Sequence, residues 1–232
     1  LWEDLKGVVA MADAENIASK QKQISISEFF EKNKHFLGFD TLQRAVITAV
    51  KEAVDNSLDA CEEARILPTI KVEINKLKGD KLELICQDNG PGIPRDSVEN
   101  VFGKFLLGSR FHAIRQTRGQ QGIGITGVVM YSQLTTGSKT HVISKIKSDS
   151  SAVHVDLGID TRKNKATKSN EIRDVWFEDG EEVVSGLKIK TVMKAKYQRG
   201  RQSVNQYLRM TSIVNPHATI QLIVRDADGE II

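Results

Sequence analysis

The stretch KEAVDNSLDACE, residues 51–62, lies in a longer segment whose apolar residues recur with the spacing of an α-helix. Glu52 and Asn56 are four residues apart and are therefore predicted to share one helix face. A carboxylate and an amide on one face can together polarise a water molecule and hold a cation. The alternative interpretation is the solvated stripe of an ordinary amphipathic helix.

A second motif, DNGPGIP, occupies residues 88–94. It follows residues 81–87, in which apolar and polar positions alternate as they do in a half-buried strand. Gly90 and Gly92 permit backbone geometry that a side chain would forbid, and they let a ligand lie close to the main chain. Asp88 at the strand end is an acceptor suited to an exocyclic amine, although the same string is also compatible with a plain turn.

A third motif, RGQQGIGITG, covers residues 118–127 and precedes an apolar segment. It predicts a glycine-rich loop that opens a helix, where free backbone N–H groups favour phosphate. No Gly-Lys-Ser/Thr is present, so this is not a Walker A loop. Gly122, Gly124 and Gly127 also satisfy the dinucleotide spacing, but no strand precedes them and no acidic strand end follows, which argues against that fold.

The order of these motifs resembles the GHKL ATPase superfamily, which includes gyrase B, Hsp90, MutL and the histidine kinases. More specifically, the chain is similar to the B subunits of archaeal-type DNA topoisomerase VI from about residue 24 to the C-terminus. The matching segments lie at residues 26–33, 54–64, 108–112, 118–125 and 213–218. The resemblance implies an α+β fold, a two-layer Bergerat sandwich with helices on one face of a mixed, mostly antiparallel sheet.

The family's site roles carry over to matching positions. The resemblance implies that Glu52 is the general base, that Asn56 holds Mg²⁺ against the phosphates of ATP, and that Asp88 accepts the adenine amine. It assigns nucleotide contacts to Asn56, Asp88, Gly90, Gly92, Ser109, Arg110, Gly119, Gln120, Gln121, Gly122, Ile123, Gly124, Ile125 and Thr126. One departure is that Gly186-Leu187 stands where many members have Gly-Thr, so one hydroxyl near the adenine pocket is missing.

The resemblance also implies a domain plan. Residues 1–23 are expected to form an N-terminal strap that crosses to a second copy when ATP is bound, and residues 24–232 the ATPase domain. Residues 1–10 precede Met11, which resembles a native start, so they are interpreted as an added segment. The family's small helical domain and its transducer domain, which supplies a lysine to the γ-phosphate, are not expected within this chain.

Composition restricts the function classes only weakly. The 232 residues are 40% hydrophobic, enough for one large core. No segment has the roughly 20 apolar residues of a membrane helix. Cys61 and Cys86 lie on apolar faces and are predicted to be reduced core residues, consistent with a cytoplasmic location. Five scattered histidines lack ligand spacing, so no zinc is predicted.

The net charge of +3 does not by itself indicate nucleic acid. The most basic stretch, residues 188–209, is interpreted either as a solvated connection or as a contact to DNA phosphates. Asp40 is predicted to cap the long helix. Further expectations are a hairpin at residues 69–87, a helix at 95–102, strands near 133–147, 151–159, 172–177 and 186–194, an exposed loop at 161–170, a helix near 201–213 and a strand at 218–225.

Three functions remain open from the sequence. The first is an ATPase that drives DNA strand passage together with a separate DNA-cleaving A subunit and a homodimeric clamp around double-stranded DNA. The second is a nucleotide-gated dimerisation module without hydrolysis, because the family's transducer lysine is expected to be missing. The third is a histidine-kinase catalytic domain, which shares the nucleotide motifs but needs a phospho-accepting histidine domain.

Overall fold

The computed structural model describes residues 26–103, 124–161 and 165–232 of the chain. The helices are α1 Ile26–Asn33, α2 Leu42–Ala64, α3 Arg95–Gly103, α4 Gly124–Thr136 and α5 Val204–Val214. The strands are β1 Thr69–Lys76, β2 Lys81–Asp88, β3 Thr140–Lys145, β4 Ala152–Asp160, β5 Lys165–Asp174, β6 Phe177–Glu178, β7 Glu181–Glu182, β8 Gly186–Lys194 and β9 Thr219–Arg225.

The sheet has seven strands in the order β5-β4-β3-β8-β2-β1-β9, and β6 and β7 form a separate hairpin. Within the seven-stranded sheet only β1 and β9 are parallel; the remaining neighbours are antiparallel. The predicted mixed, mostly antiparallel sheet is therefore confirmed. Its order places the C-terminal end of β2 beside the start of β8, where Asp88 pairs with Leu187.

Alternation along the strands shows which face the helices cover. In β1 the buried residues are Ile70, Val72 and Ile74. In β2 they are Leu82, Leu84, Cys86 and Asp88, and in both strands a more exposed residue separates each from the next. A period of two means that one face of the sheet is packed and the other meets solvent. Helices α2 and α4 pack against the sheet, as the two-layer α+β prediction requires.

Helix α2 is the long helix that the apolar spacing predicts, but its cap differs from the prediction. Thr41, not Asp40, is the N-cap, and its hydroxyl accepts a hydrogen bond from the backbone N–H of Arg44. The carboxylate of Asp40 instead pairs with the side chain of Arg44 at 2.8 Å. Arg65 ends the helix in the left-handed conformation at φ 57°, with its N–H bonded to the carbonyls of Cys61 and Glu62.

The core lies between the sheet and α2 and α4, and within it Phe39 stacks on Tyr131 while Phe30 contacts Phe39 at a tilt. Cys61 and Cys86 are buried and unbridged, as predicted. Burial raises the pKa of the Cys61 thiol to about 12, and the nearby charge of Asp88 adds to this. Such a thiol stays protonated and behaves as a small apolar side chain.

Two further sequence predictions were wrong. The segment predicted as strand from residue 133 remains helical to Thr136, and β3 begins only at Thr140. The segment predicted as a loop at 161–170 is strand β5 from Lys165 onward, paired with β4. Its side chains are largely exposed, as predicted for that segment, and residues 162–164 lie outside the described part of the chain. Within the described ranges, no helix is long and apolar enough to cross a membrane.

Candidate nucleotide site

One stripe of α2 is neither fully buried nor fully exposed. Thr48, Glu52, Asn56 and Ala60 are all half-buried, whereas the residues between them that point into the core are buried. A spacing of four residues places them on one helix face. The structure therefore keeps Glu52 and Asn56 together on one partly open face, as the sequence predicts.

Asp88 lies at the end of β2 and is only 5% exposed. Its Oδ1 accepts hydrogen bonds from the backbone N–H of Gly90 at 2.9 Å and of Leu187 at 3.2 Å. Its Oδ2 accepts a bond from the hydroxyl of Ser57 on α2 at 2.6 Å. A carboxylate offers about four acceptor positions, so these three bonds leave one position on Oδ2 for a further donor.

Two opposing effects act on the charge of Asp88. Burial raises the pKa of its carboxyl, while the hydrogen bonds from Ser57, Gly90 and Leu187 lower it; the net effect is upward. A buried carboxylate that has donors on both oxygens is oriented but still incompletely compensated. A further N–H donor would stabilise it.

The glycines after β2 are required by close packing. Gly92 has φ +73°, and a Cβ placed on it would lie 2.1 Å from the carbonyl oxygen of Lys145 on β3. A Cβ on Gly90 would lie 3.0 Å from Asp88 Oδ1. Gly186 at the start of β8 approaches the Asp88 backbone in the same way, with 2.3 Å from its would-be Cβ to the carbonyl oxygen. These close approaches fix the position of the backbone around Asp88.

The start of α4 contacts the half-buried face of α2 at Glu52. A Cβ on Gly124 would lie 2.0 Å from Glu52 Oε2, so only a residue without a side chain admits the carboxylate so close to the helix. Ile125 is half-buried and Thr126 is buried in the first turn of α4. The first turn of a helix carries backbone N–H groups that suit phosphate, which is the role that the glycine spacing predicts for this segment.

The Glu52 carboxylate lies in a mixed electrostatic environment. Burial, the largest influence, raises its pKa above the ordinary value; the ammonium of Lys51 opposes this and the carboxylate of Asp55 adds to it. Lys51 Nζ is 3.9 Å from Glu52 Oε1 and 2.8 Å from Asp55 Oδ2. A carboxylate with a raised pKa is a stronger base than an exposed one.

The structure brings together Glu52, Asn56, Asp88, Gly90, Gly92, Gly124, Ile125 and Thr126 along α2, the β2–α3 loop and α4. The other predicted contacts, namely Ser109, Arg110, Gly119, Gln120, Gln121, Gly122 and Ile123, lie outside the described residues. Ser57, whose hydroxyl donates to Asp88, was not predicted from the sequence. Its position directly after Asn56 was the available signal, but a serine inside a helix has many other uses.

The missing hydroxyl at Leu187 does not remove the hydrogen bond between this residue and Asp88. The backbone N–H of Leu187, not its side chain, contacts Asp88, so this contact does not depend on the residue type. The hydroxyl that does contact Asp88 comes from Ser57 on α2. Asp88 is therefore held from α2 and from β8 at once.

A protein family matches the part of the chain that carries this geometry. Residues 41–163 match the family described as histidine kinase-, DNA gyrase B-, and HSP90-like ATPases. That range contains α2, the β2–α3 loop and α4, which together hold the residues described above.

Longer relatives resemble nearly the whole chain. It is 51% identical over 220 residues to the B subunit of type 2 DNA topoisomerase 6 from Methanosarcina acetivorans, covering 94% of this chain and 34% of that protein. It is 51% identical over 216 residues to the protein of the same name from Archaeoglobus fulgidus, covering 93% of this chain and 35% of that protein. The chain thus spans about a third of the length of these relatives.

Solved structures agree on the fold. The ATP-binding domain of topoisomerase IV from Francisella tularensis has a TM-score of 0.52 at 13% identity and covers 88% of this chain and 91% of that chain. The N-terminal domain of a DNA repair protein has a TM-score of 0.53 at 19% identity, covering 83% of this chain and 51% of that chain. With its fold and its sequence in agreement, the chain belongs to the family of histidine kinase-, DNA gyrase B- and HSP90-like ATPases.

Proposed function

We propose that this chain is the ATP-binding and ATP-hydrolysing, nucleotide-gated dimerisation domain of a type II DNA topoisomerase of the topoisomerase VI B kind. The observation that carries the proposal is that α2 contacts both Asp88 and the start of α4. Helix α2 thus contacts Asp88 on β2 through Ser57 and the start of α4 through Glu52, which supports a site with the adenine acceptor on one side and the base beside a phosphate-binding helix terminus on the other.

Each residue then has a chemical role. Asp88 accepts a hydrogen bond from the adenine amine on the remaining position of Oδ2. The N-terminal turn of α4 binds phosphate through its backbone N–H groups. Glu52 takes a proton from the attacking water, and its half-buried position keeps its pKa above the ordinary value, which strengthens it as a base.

Magnesium fits the same face of α2. The amide oxygen of Asn56 is a hard oxygen ligand of the kind that Mg²⁺ accepts, and it lies on the half-buried stripe with Glu52. The described residues contain no group of three or more His, Cys, Asp or Glu side chains that could hold a metal alone. An ion held by Asn56 would take its other ligands from nucleotide phosphates and water, and Mg²⁺ there would neutralise phosphate charge.

The relatives' name supports a proposal for the wider activity. As part of a type 2 topoisomerase, the domain would close with a second copy when ATP binds, through the strap at residues 1–23, and gate double-stranded DNA in the cytoplasm. Cleavage of DNA would belong to a separate A subunit. The basic segment after β8, which includes Arg199 and Arg201 and is exposed, offers charge for phosphate contacts.

Sedimentation velocity with Mg²⁺ and a non-hydrolysable ATP analogue tests binding and dimerisation together. We expect a monomer without nucleotide, a dimer with the analogue, and no dimer for Asp88→Asn, whose amide N–H₂ repels the adenine amine. Calorimetry with the same analogue measures binding independently. Failure of the unsubstituted chain to bind any adenine nucleotide would contradict the proposal at its root.

Hydrolysis is tested by comparing the unsubstituted chain with Glu52→Ala in single-turnover assays. We expect Glu52→Ala to bind the analogue normally and to hydrolyse ATP about 100-fold or more slowly. Equal rates for the two proteins would favour a nucleotide-gated dimerisation module that does not hydrolyse. A histidine-kinase domain is disfavoured because the relatives that match 94% of this chain are topoisomerase subunits.

A further inference from the structure

Lys51 lies near the carboxylates of Glu52 and Asp55, which differ in exposure and in distance from its ammonium. Its Nζ donates a 2.8 Å hydrogen bond to Asp55 Oδ2 and lies 3.9 Å from Glu52 Oε1. The Lys51 side chain is 44% exposed, the Glu52 side chain 21% and the Asp55 side chain 10%. The ammonium is therefore the most exposed of the three charged groups, and both carboxylates are more buried than it is.

Asp55 is tied to a distant part of the chain. Its Oδ1 accepts a 2.8 Å hydrogen bond from the hydroxyl of Tyr207 on α5, and α5 packs against α2. Burial and the charge of Asp55 both raise the pKa of Tyr207, so the phenol remains a donor. The backbone carbonyl of Tyr207 accepts from Thr211, within the same helix.

We propose that the ammonium of Lys51, held by Asp55 and anchored through Tyr207, is the positioning group for the Glu52 carboxylate. This inference rests on the proposed function, in which Glu52 is the general base. It assigns functional roles to Lys51, Asp55 and Tyr207, which lie beyond the nucleotide contacts.

The need for such a group follows from the charges. Glu52 and Asp55 are three residues apart on α2, close enough for like charges to repel. The charged or titratable groups facing Glu52 are Lys51 and Asp55 from α2 and Tyr207 from α5, while α4 presents Gly124, which has no side chain. Lys51 is thus the single cation among these described neighbours, and it also faces Asp59.

An ordinary surface ion pair would not hold Lys51 in place beside Glu52. Exposed pairs gain little because both partners move and water screens them. Here the carboxylate that holds Lys51 belongs to a buried residue and accepts a hydrogen bond from a second helix. Partial burial lowers the pKa of Lys51, but the hydrogen bond and the charge of Asp55 outweigh it; the net direction is upward, so the ammonium stays charged.

The first test measures the Glu52 carboxylate itself and needs no hydrolysis. The chain is labelled with ¹³C at the glutamate side-chain carboxyl, the Glu52 signal is assigned with Glu52→Gln, and its shift is followed with pH. We expect Lys51→Met to raise the pKa of Glu52 and Lys51→Arg to leave it near the unsubstituted value. Lys190→Met, which removes an exposed lysine paired with Glu83 at 3.5 Å, is the matched control and should have no effect.

The second test asks whether positioning matters to turnover. In single-turnover hydrolysis we expect Lys51→Met to lower the rate about tenfold at unchanged Kd for the analogue, and Lys51→Arg to restore it. The acid limb of the pH profile should move upward in Lys51→Met. Tyr207→Phe should lower the rate in the same direction but less, at unchanged Kd.

The outcomes separate this inference from the proposed function. If Lys51→Met leaves the Glu52 titration where Lys190→Met leaves it, or if Lys51→Arg shifts it as far as Lys51→Met, the inference is wrong. A loss of nucleotide affinity in Lys51→Met that matches the loss of rate would also overturn it. If the titration shifts as expected but Glu52→Gln does not slow hydrolysis, the positioning holds and the proposed role of Glu52 fails.

Discussion

Replacing Ser57 with alanine should destabilise the protein in a pH-dependent way. The substitution removes a 2.6 Å hydrogen bond to Asp88 Oδ2 between two residues that are each 5% exposed. A hydrogen bond to a charged group contributes about 1.5–3 kcal/mol, and a neutral one about 0.5–1.5 kcal/mol. The full cost of Ser57→Ala should therefore be about 2 kcal/mol where Asp88 is ionised.

The sign of the pH dependence follows from the direction of the Asp88 pKa. Burial raises that pKa above its unfolded value, so the folded state binds more protons between the two values, and stability falls as pH rises through that window. Ser57 opposes the shift, and its removal raises the folded pKa further. The cost of Ser57→Ala should thus be largest at high pH and should shrink by about 1 kcal/mol once Asp88 is protonated.

Urea unfolding at a pH value above and a pH value below the titration of Asp88 measures this difference. Ser132→Ala is the matched control, because Ser132 is fully buried on α4 and donates to the neutral carbonyl of Val192 at 2.7 Å. Its cost should be about 1 kcal/mol and independent of pH. Equal costs of Ser57→Ala at the two pH values would refute the claim that the bond stabilises an ionised Asp88.

Two further substitutions test the close approaches around the site. Gly92→Ala should lower the free energy of unfolding by about 2 kcal/mol or more, since its Cβ would lie 2.1 Å from the Lys145 carbonyl oxygen and its φ is positive. Gly79 has the same φ of +73° but open space around it, so Gly79→Ala should cost only about 1 kcal/mol. Thermal or urea unfolding measures both. Gly124→Ala should change stability little because the new Cβ would meet the end of the Glu52 side chain, which can rotate away, and not the backbone. The displaced carboxylate should slow single-turnover hydrolysis about tenfold or more; a large loss of stability with full activity would contradict this.

Local rules predicted much of this fold because the relevant interactions are local. Helical spacing places Glu52 and Asn56 on one face regardless of the rest of the chain. Alternation in β2 and the turn after it predict where Asp88 lies. The start of α4 was predictable in outline because glycines precede an apolar segment.

The errors arose where a tertiary partner decides the structure. Strand β5 has exposed Lys, Thr and Asn side chains and no buried face, so its sequence pattern suggests a loop; pairing with β4 supplies its hydrogen bonds. Asp40 and Thr41 are both good caps, and Asp40 is engaged instead by Arg44. The Ser57–Asp88 and Asp55–Tyr207 bonds join residues 31 and 152 positions apart, so no spacing rule indicates them.

The side chains of the consecutive polar residues Asp55, Asn56 and Ser57 leave α2 in three different directions. Successive helical residues differ by about 100° around the axis, so three adjacent polar side chains cannot share a partner. Asp55 points to Tyr207 on α5, Asn56 lies on the half-buried face with Glu52, and Ser57 points to Asp88 on β2. Asp55 and Ser57 are buried and each is hydrogen-bonded to another element, so the helix cannot rotate about its axis. This fixes the direction of Asn56, the predicted magnesium ligand. A substitution at either flank should therefore disturb nucleotide chemistry without touching a nucleotide atom.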